Sequence, residues 1–234
     1  MWSRLAGSVG SGPLYLDTDA SLVDIHSENK IGAAANYKGG YGFHPMFCFA
    51  DATGEALAGM LRPGNAGANC AADHTAVLDA ALAQLPEDVR IGHRPGDDTS
   101  LAAREIRMLT DSAGSTKAFV AALGERNIRF MTVAASNAEI YDAIFDAEGM
   151  EEVWLPAVGQ DGEPRQRSHV CELTSLVELK RWPAGTRLIV RREPRHPGAQ
   201  TSLFASLEYR YWGFYTDCEG DPVSLDAAMR AHAL

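Results

Sequence analysis

Leu14-Tyr15-Leu16-Asp17-Thr18-Asp19-Ala20-Ser21-Leu22 is the stretch that decides the fold. Apolar and polar residues alternate through it, and alternation places successive side chains on opposite faces of a strand. Tyr15, Asp17, Asp19 and Ser21 therefore share one face, with Leu14 and Leu16 on the other. Two neighbouring carboxylates repel, and taking them out of water is costly. A bound cation, a shared proton or a solvated strand end accounts for such a pair.

Working outward, the first strand spans about 13–23 and a polar, Gly-rich loop runs on to Gly42. Residues 44–50 form a second strand, and Asp51-Ala52-Thr53-Gly54 turns the chain into a returning strand at 55–61. Val77, Leu78, Ala81, Leu82 and Leu85 make an apolar stripe on a helix over 71–85, which Pro86 ends. A strand over about 104–110 delivers Asp111. Helix 116–123, strand 127–134 and helix 137–147 follow. The order β-β-β-α-β-α-β-α predicts a mixed sheet with helices on its faces. The first strand should lie centrally, flanked by the second strand of the 44–61 meander and by strand 104–110.

Beyond Gly149 helical periodicity fades, and residues 151–216 read as a β-rich insertion. Ser224 is placed to cap a last helix from about Leu225. The organisation expected is a loose lead over 1–12, a core over 13–150, the insertion over 151–216 and the start of a closing helix over 217–234.

The chain has 234 residues and a net charge of −10, which by itself argues against a nucleic-acid partner. The charge is uneven: residues 161–234 hold ten basic and ten acidic residues, so the excess acidity lies before them. Lys180–Arg195 carries six basic residues and one acidic. Arg187, Arg191 and Arg192 there read either as a phosphate-binding surface, partly exposed, or as a solvated hairpin. No apolar run approaches the roughly 20 residues of a membrane span, and residues 1–8 show no apolar signal region. Cys48, Cys70, Cys171 and Cys218 are scattered, which fits packing thiols in a reduced, cytoplasmic protein. The seven histidines include no close ligand pair, and Asp73 and His74 receive no catalytic role.

Asp111 ends a strand expected to be parallel to the first, and ligands collect at the carboxyl ends of such strands. With the two strands adjacent, Asp19 and Asp111 approach across about 5 Å of sheet spacing. Two carboxylates so placed suit Mg²⁺ or Mn²⁺, with Asp17 as a support at the margin. The bland alternative for Asp111 is a helix cap.

Several motifs occur in an order that carries a resemblance. They are Leu16–Val23, Tyr41–Pro45, Leu61–His74, Leu109–Gly114, Trp182–Arg192 and Met229–Ala233. The chain resembles bacterial insertion-sequence transposases of the DDE type, group 1, over about residues 13–233. The resemblance implies an RNase H-like core, Asp19 and Asp111 as the first and second catalytic aspartates, and a β-rich insertion before the last catalytic residue. It also implies Mg²⁺ or Mn²⁺ as cofactor, DNA as partner (element ends and target), and a homodimer in a synaptic complex. The family's glutamate on the closing helix has no counterpart before Leu234. The expectation is therefore a truncated, inactive form, with Glu219, Asp221 and Asp226 as solvated acids. A non-catalytic DNA-binding remnant is one alternative. The other is a haloacid-dehalogenase-like phosphatase, with Asp17 as nucleophile, Asp19 as acid/base and Gly96-Asp97-Asp98 imitating a late metal motif. The chain order and the returning hairpin argue against that reading.

Overall fold

A computed structural model describes residues 12–27, 29–159, 161–195 and 209–232. Most of the 1–12 lead and the last two residues lie outside them. The chain divides between Thr132 and Val133 into two compact units.

The first unit is built on β1 (Leu14–Ala20), which alternates buried and part-exposed residues as its sequence pattern requires. A small excursion then contains β2 (Val23–Asp24), β3 (Ala34–Ala35) and β4 (Tyr41–Phe43). The meander follows as β5 (Met46–Ala50) and β6 (Glu55–Met60), then α1 (Ala71–Leu82), the single-turn α2 (Glu87–Arg90), β7 (Ile106–Thr110), α3 (Lys117–Gly124) and β8 (Ile128–Ala134). The strands order as β6-β5-β1-β7-β8. β5 is antiparallel to both β1 and β6, whereas β7 runs parallel to β1 and to β8. This is the mixed, RNase H-like sheet expected from the sequence, with β1 central between β7 and β5; its meander neighbour is the leading strand of 44–61 and not the second, which lies at the edge as β6.

Leu14, Leu16, Met46, Cys48, Ile106 and Met108 are fully buried from three adjacent strands, with Val77, Leu78 and Ala81 of α1 and Phe119 and Leu123 of α3. α1 packs on β5, β6 and α3. Burying each of these large side chains contributes roughly 1.5–3 kcal/mol. Cys48, Cys171 and Cys218 are buried and Cys70 is half-buried; all four are free thiols. Burial, with the Asp17 charge adding to it, pushes the Cys48 thiol up to about 12.

One segment differs from its sequence reading. The loop expected before Gly42 is instead a three-stranded antiparallel sheet, β2-β4-β3. Its strands approach so closely that a Cβ on Gly42 would lie 2.0 Å from the Val23 carbonyl. Only glycine fits there.

The second unit contains α4 (Ala138–Glu148), β9 (Leu155–Val158), β10 (Pro164–Glu172), β11 (Arg187–Pro194), β12 (Tyr209–Thr216) and α5 (Pro222–His232). Its strands run antiparallel in the order β12-β11-β10-β9. α5 packs on β9, β10 and β11. The cap of α5 is Asp221, whose Oδ1 accepts from the amides of Val223 (3.1 Å) and Ser224 (2.9 Å), in place of the expected Ser224.

Candidate metal centre

The register of β1 and β7 builds the site. Thr18 pairs with Thr110, so Asp19 and Asp111 are the next residue on each parallel strand, at the shared carboxyl end. Both are exposed. Beneath them the Thr110 hydroxyl donates to the Thr132 hydroxyl at 2.7 Å, and Thr132 donates to the Asp111 carbonyl at 3.3 Å. Neighbouring strand ends are thus tied together by buried hydroxyls. The Ser21 hydroxyl donates to Asp19 Oδ2 at 3.0 Å. Asp111 Oδ1 accepts from the amides of Ala113 (2.8 Å) and Gly114 (3.3 Å). Asp111 is therefore not the helix cap of the bland reading: α3 is capped by the Thr116 hydroxyl, which accepts from the Phe119 amide at 3.2 Å.

Asp17 lies one strand pleat behind Asp19. Burial, followed by the charges of Asp19, Asp51 and Asp111, raises its carboxyl from the ordinary 3.8 to about 6. The structure so couples Asp17, Asp19 and Asp111 in one field and adds Asp51. The sequence offered Asp51 only as a turn residue, although its place after β5 also puts it opposite Tyr15, with its amide donating to the Tyr15 carbonyl at 3.1 Å. Among the described residues no group of three or more His, Cys, Asp or Glu is arranged to hold a metal ion.

A raised carboxyl pKa means the folded state prefers the protonated form. That preference favours folding below the unfolded pKa near 4 and is lost as pH rises through about 6. Asp17→Asn is expected to stabilise the protein at pH 7, on the order of 1–2 kcal/mol once solvent screening of this part-exposed group is allowed for. Thermal melts at stepped pH test this, and the gain should vanish below about pH 4.

Two further acidic positions are structural. Asp97 Oδ2 accepts from the amides of Gly92 and Arg94, each at 3.1 Å, and Asp98 Oδ1 accepts from the Ser100 amide at 2.8 Å. Gly96 bonds the carbonyl of Glu125, which precedes β8, so this turn lies at the opposite strand ends from Asp19 and Asp111. The phosphatase reading loses its metal motif on that ground. Asp73 makes an ion pair with buried Arg62 at 3.0 Å, and His74 Nε2 bonds the Ala68 carbonyl at 3.0 Å. Both fix the loop that joins β6 to α1.

Residues 8–210 match the model of the transposase DDE domain, group 1. The chain belongs to the transposase DDE domain group 1 family. The match covers most of the sequence, including β1, β7 and both strand-end aspartates. No curated protein matches the chain. For a DDE-domain chain, Asp19 and Asp111 stand where two strand ends meet, which is the arrangement the sequence anticipated.

The expected surface on β11 is corrected by this structure. Arg191 and Arg192 are buried, at 9 % and 1 % exposure, rather than partly exposed. β11 is an interior strand covered on both faces, so consecutive arginines enter opposite layers. Arg191 pairs with Glu193 (2.6 Å) and Asp226 (2.5 Å) and lies 4.9 Å from the Trp212 ring centroid. Arg192 pairs with Glu148 (3.1 Å) and Glu151 (2.5 Å) and lies 4.5 Å from the Trp154 ring centroid and 4.9 Å from that of Tyr209. Arg187 pairs with Glu172 at 2.6 Å. The Arg191 and Arg192 guanidinium groups are spent on internal partners, whereas Arg187 stays partly exposed as expected. Asp226, expected to be solvated, is fully buried between Arg191 and Arg230.

Proposed function

We propose that this chain acts on DNA as an insertion-sequence transposase, with Asp19 and Asp111 holding Mg²⁺ or Mn²⁺ and Asp17 at the margin of the site. The parallel register that brings Asp19 and Asp111 to adjacent strand ends supports this reading most directly. The donor set consists of carboxylate oxygens, the ligands a small hard cation prefers. The upward shift of Asp17 comes first from burial and then from the charges of Asp19, Asp51 and Asp111, and a cation would offset that second, electrostatic part. When bound, the metal would supply an activated water or hydroxyl and stabilise the leaving oxygen in phosphodiester cleavage. The protein's own contribution is orientation. Ser21 aims Asp19, and the Ala113 and Gly114 amides fix Asp111. Asp17, with its carboxyl near 6, can hold a proton close to neutral pH.

This reading places the chain's work in the cytoplasm, where element ends and target DNA are its partners and a second copy completes a synaptic pair. No helix among the described residues is long and apolar enough to cross a membrane. A weaker form, in which the chain binds DNA but cleaves slowly, is favoured by one observation: no third acid among the described residues joins the pair as a ligand group. Asp226 is committed to two arginines, and Asp221 caps α5.

The test is Mn²⁺ binding by titration calorimetry, with DNA nicking measured in parallel. Asp19→Ala with Asp111→Ala is expected to remove the Mn²⁺ heat while the fold persists. Unchanged binding in that double variant would refute the site. Brisk nicking by the unaltered chain would refute the slow form and direct mutagenesis to Asp51.

A further inference from the structure

The excursion over residues 21–45 leaves β1 directly after Asp19 and re-enters the sheet at β5, whose Phe47 pairs with Asp19. Its two legs are joined where the Ser21 amide donates to the Pro45 carbonyl at 3.1 Å. The small sheet β2-β4-β3 is therefore rooted at the strand end that carries Asp19.

Much of its hydrogen bonding serves one turn. Asn36 is buried, and its Oδ1 accepts from the amides of Lys38 and Gly40, each at 3.0 Å. Its Nδ2 donates to Asp24 Oδ1 at 2.7 Å, and its own amide donates to the Gly40 carbonyl at 2.8 Å. Gly39 completes the turn at φ +85°, a conformation that side chains rarely adopt. This fixed turn presents Tyr37, which is 76 % exposed, with the Lys38 ammonium 5.7 Å from its ring centroid. A second turn, closed by the Ala33 amide on the Lys30 carbonyl at 3.2 Å, exposes Lys30 and Ile31. β3 between the turns has two residues, so the turns stand roughly 7 Å apart along it.

The chain has only four lysines: Lys30, Lys38, Lys117 and Lys180. Two lie in this excursion, and Lys117 opens α3, the helix that follows Asp111. In an acidic protein, three of the four lysines thus follow the two strand-end aspartates along the chain. The acids in the same excursion are Asp24, engaged by Asn36, and Glu28. An exposed aromatic ring on a rigid turn, flanked by lysines, is the chemistry that holds single-stranded nucleic acid: bases stack on the ring and ammonium groups meet phosphates.

We infer that the Tyr37 turn takes an unpaired base of the DNA strand bound at Asp19, while Lys30 and Lys38 contact that strand's phosphates. This rests on the reading of the chain as a DNA-processing protein and adds the form of DNA it holds.

The experiment uses fluorescence anisotropy of a short labelled poly(dT) strand and of a blunt duplex, over a salt series, with the whole chain. Tyr37→Ala should weaken single-strand binding about tenfold and spare the duplex, and Tyr37→Phe should restore it, because stacking needs the ring. Lys30→Glu with Lys38→Glu should flatten the salt dependence of single-strand binding, by roughly 1.4 in log–log slope for two phosphates. Circular dichroism checks that each variant folds. Binding of the unaltered chain to both DNAs with Tyr37→Ala unchanged overturns the inference alone. Binding to neither overturns the DNA-processing reading and the inference with it. Loss of self-association in sedimentation, with DNA affinity intact, assigns the turn to a second copy of the chain and overturns the DNA assignment.

Discussion

Asp226→Ala should destabilise the fold by about 3–5 kcal/mol, the cost of removing one partner from a buried ion pair. The side chain of Asp226 is fully buried, and its two oxygens engage Arg191 and Arg230 separately. Without it, Arg191 keeps Glu193 at 2.6 Å but faces α5 with an uncompensated charge. Such a loss is a large share of the roughly 5–15 kcal/mol that holds a typical domain together. Urea unfolding should show a lower midpoint, with α5 among the first segments to exchange its amide hydrogens. Asp221→Ala, which removes only a helix cap, should cost about 1 kcal/mol and serves as the control on the same helix. Equal effects of the two substitutions would mean that the buried acid carries no special weight.

The second large effect concerns Arg192. Arg192→Glu would bury a carboxylate against Glu148 and Glu151 and between the rings of Trp154 and Tyr209. Like charges in a desolvated setting cost several kcal/mol, and the expected result is a chain that does not fold at 37 °C. Arg192→Met should be far milder. It keeps the apolar stem and leaves two glutamates that are part-exposed or exposed and can be hydrated, so about 2 kcal/mol of ion-pair and cation–π stabilisation is lost. Expression yield and thermal melting of the two variants separate these outcomes. A soluble, folded Arg192→Glu protein with weakened DNA binding would instead restore the surface role expected from the sequence.

The legible and illegible parts of the chain divide along physical lines. β1 and β5 follow period-two burial, and β7 and β8 are short, mostly buried apolar runs; both signals, like the turns between them, depend on neighbouring residues alone. The strand-end position of Asp111 was legible for the same reason. The excursion over 21–45 was not: strands of two residues carry no period, and the sheet forms because Gly42 and Gly64 allow backbones to touch and Gly40 leaves room for the Asp24 and Asn36 side chains. The buried arginines failed for a different reason. Apart from Glu193, their counter-charges lie far along the chain, with Asp226 35 residues from Arg191 and Glu148 44 residues from Arg192. A run of basic residues looks like surface until its distant acids are placed beside it. Asp51 was visible as a turn former, but its contribution to the field at Asp17 needed the pairing of β5 with β1.

The unequal burial of the four thiols makes the chain its own single-site labelling scaffold. Three are sealed in the core, and the Cys48 thiol, pushed to about 12, stays un-ionised at any pH used for maleimide chemistry. Cys70, half-buried, directly precedes α1 on the loop held by Arg62 and His74. A fluorophore placed there, with no cysteine replaced, would report on the segment joining β6 to α1 as cations or oligonucleotides are titrated.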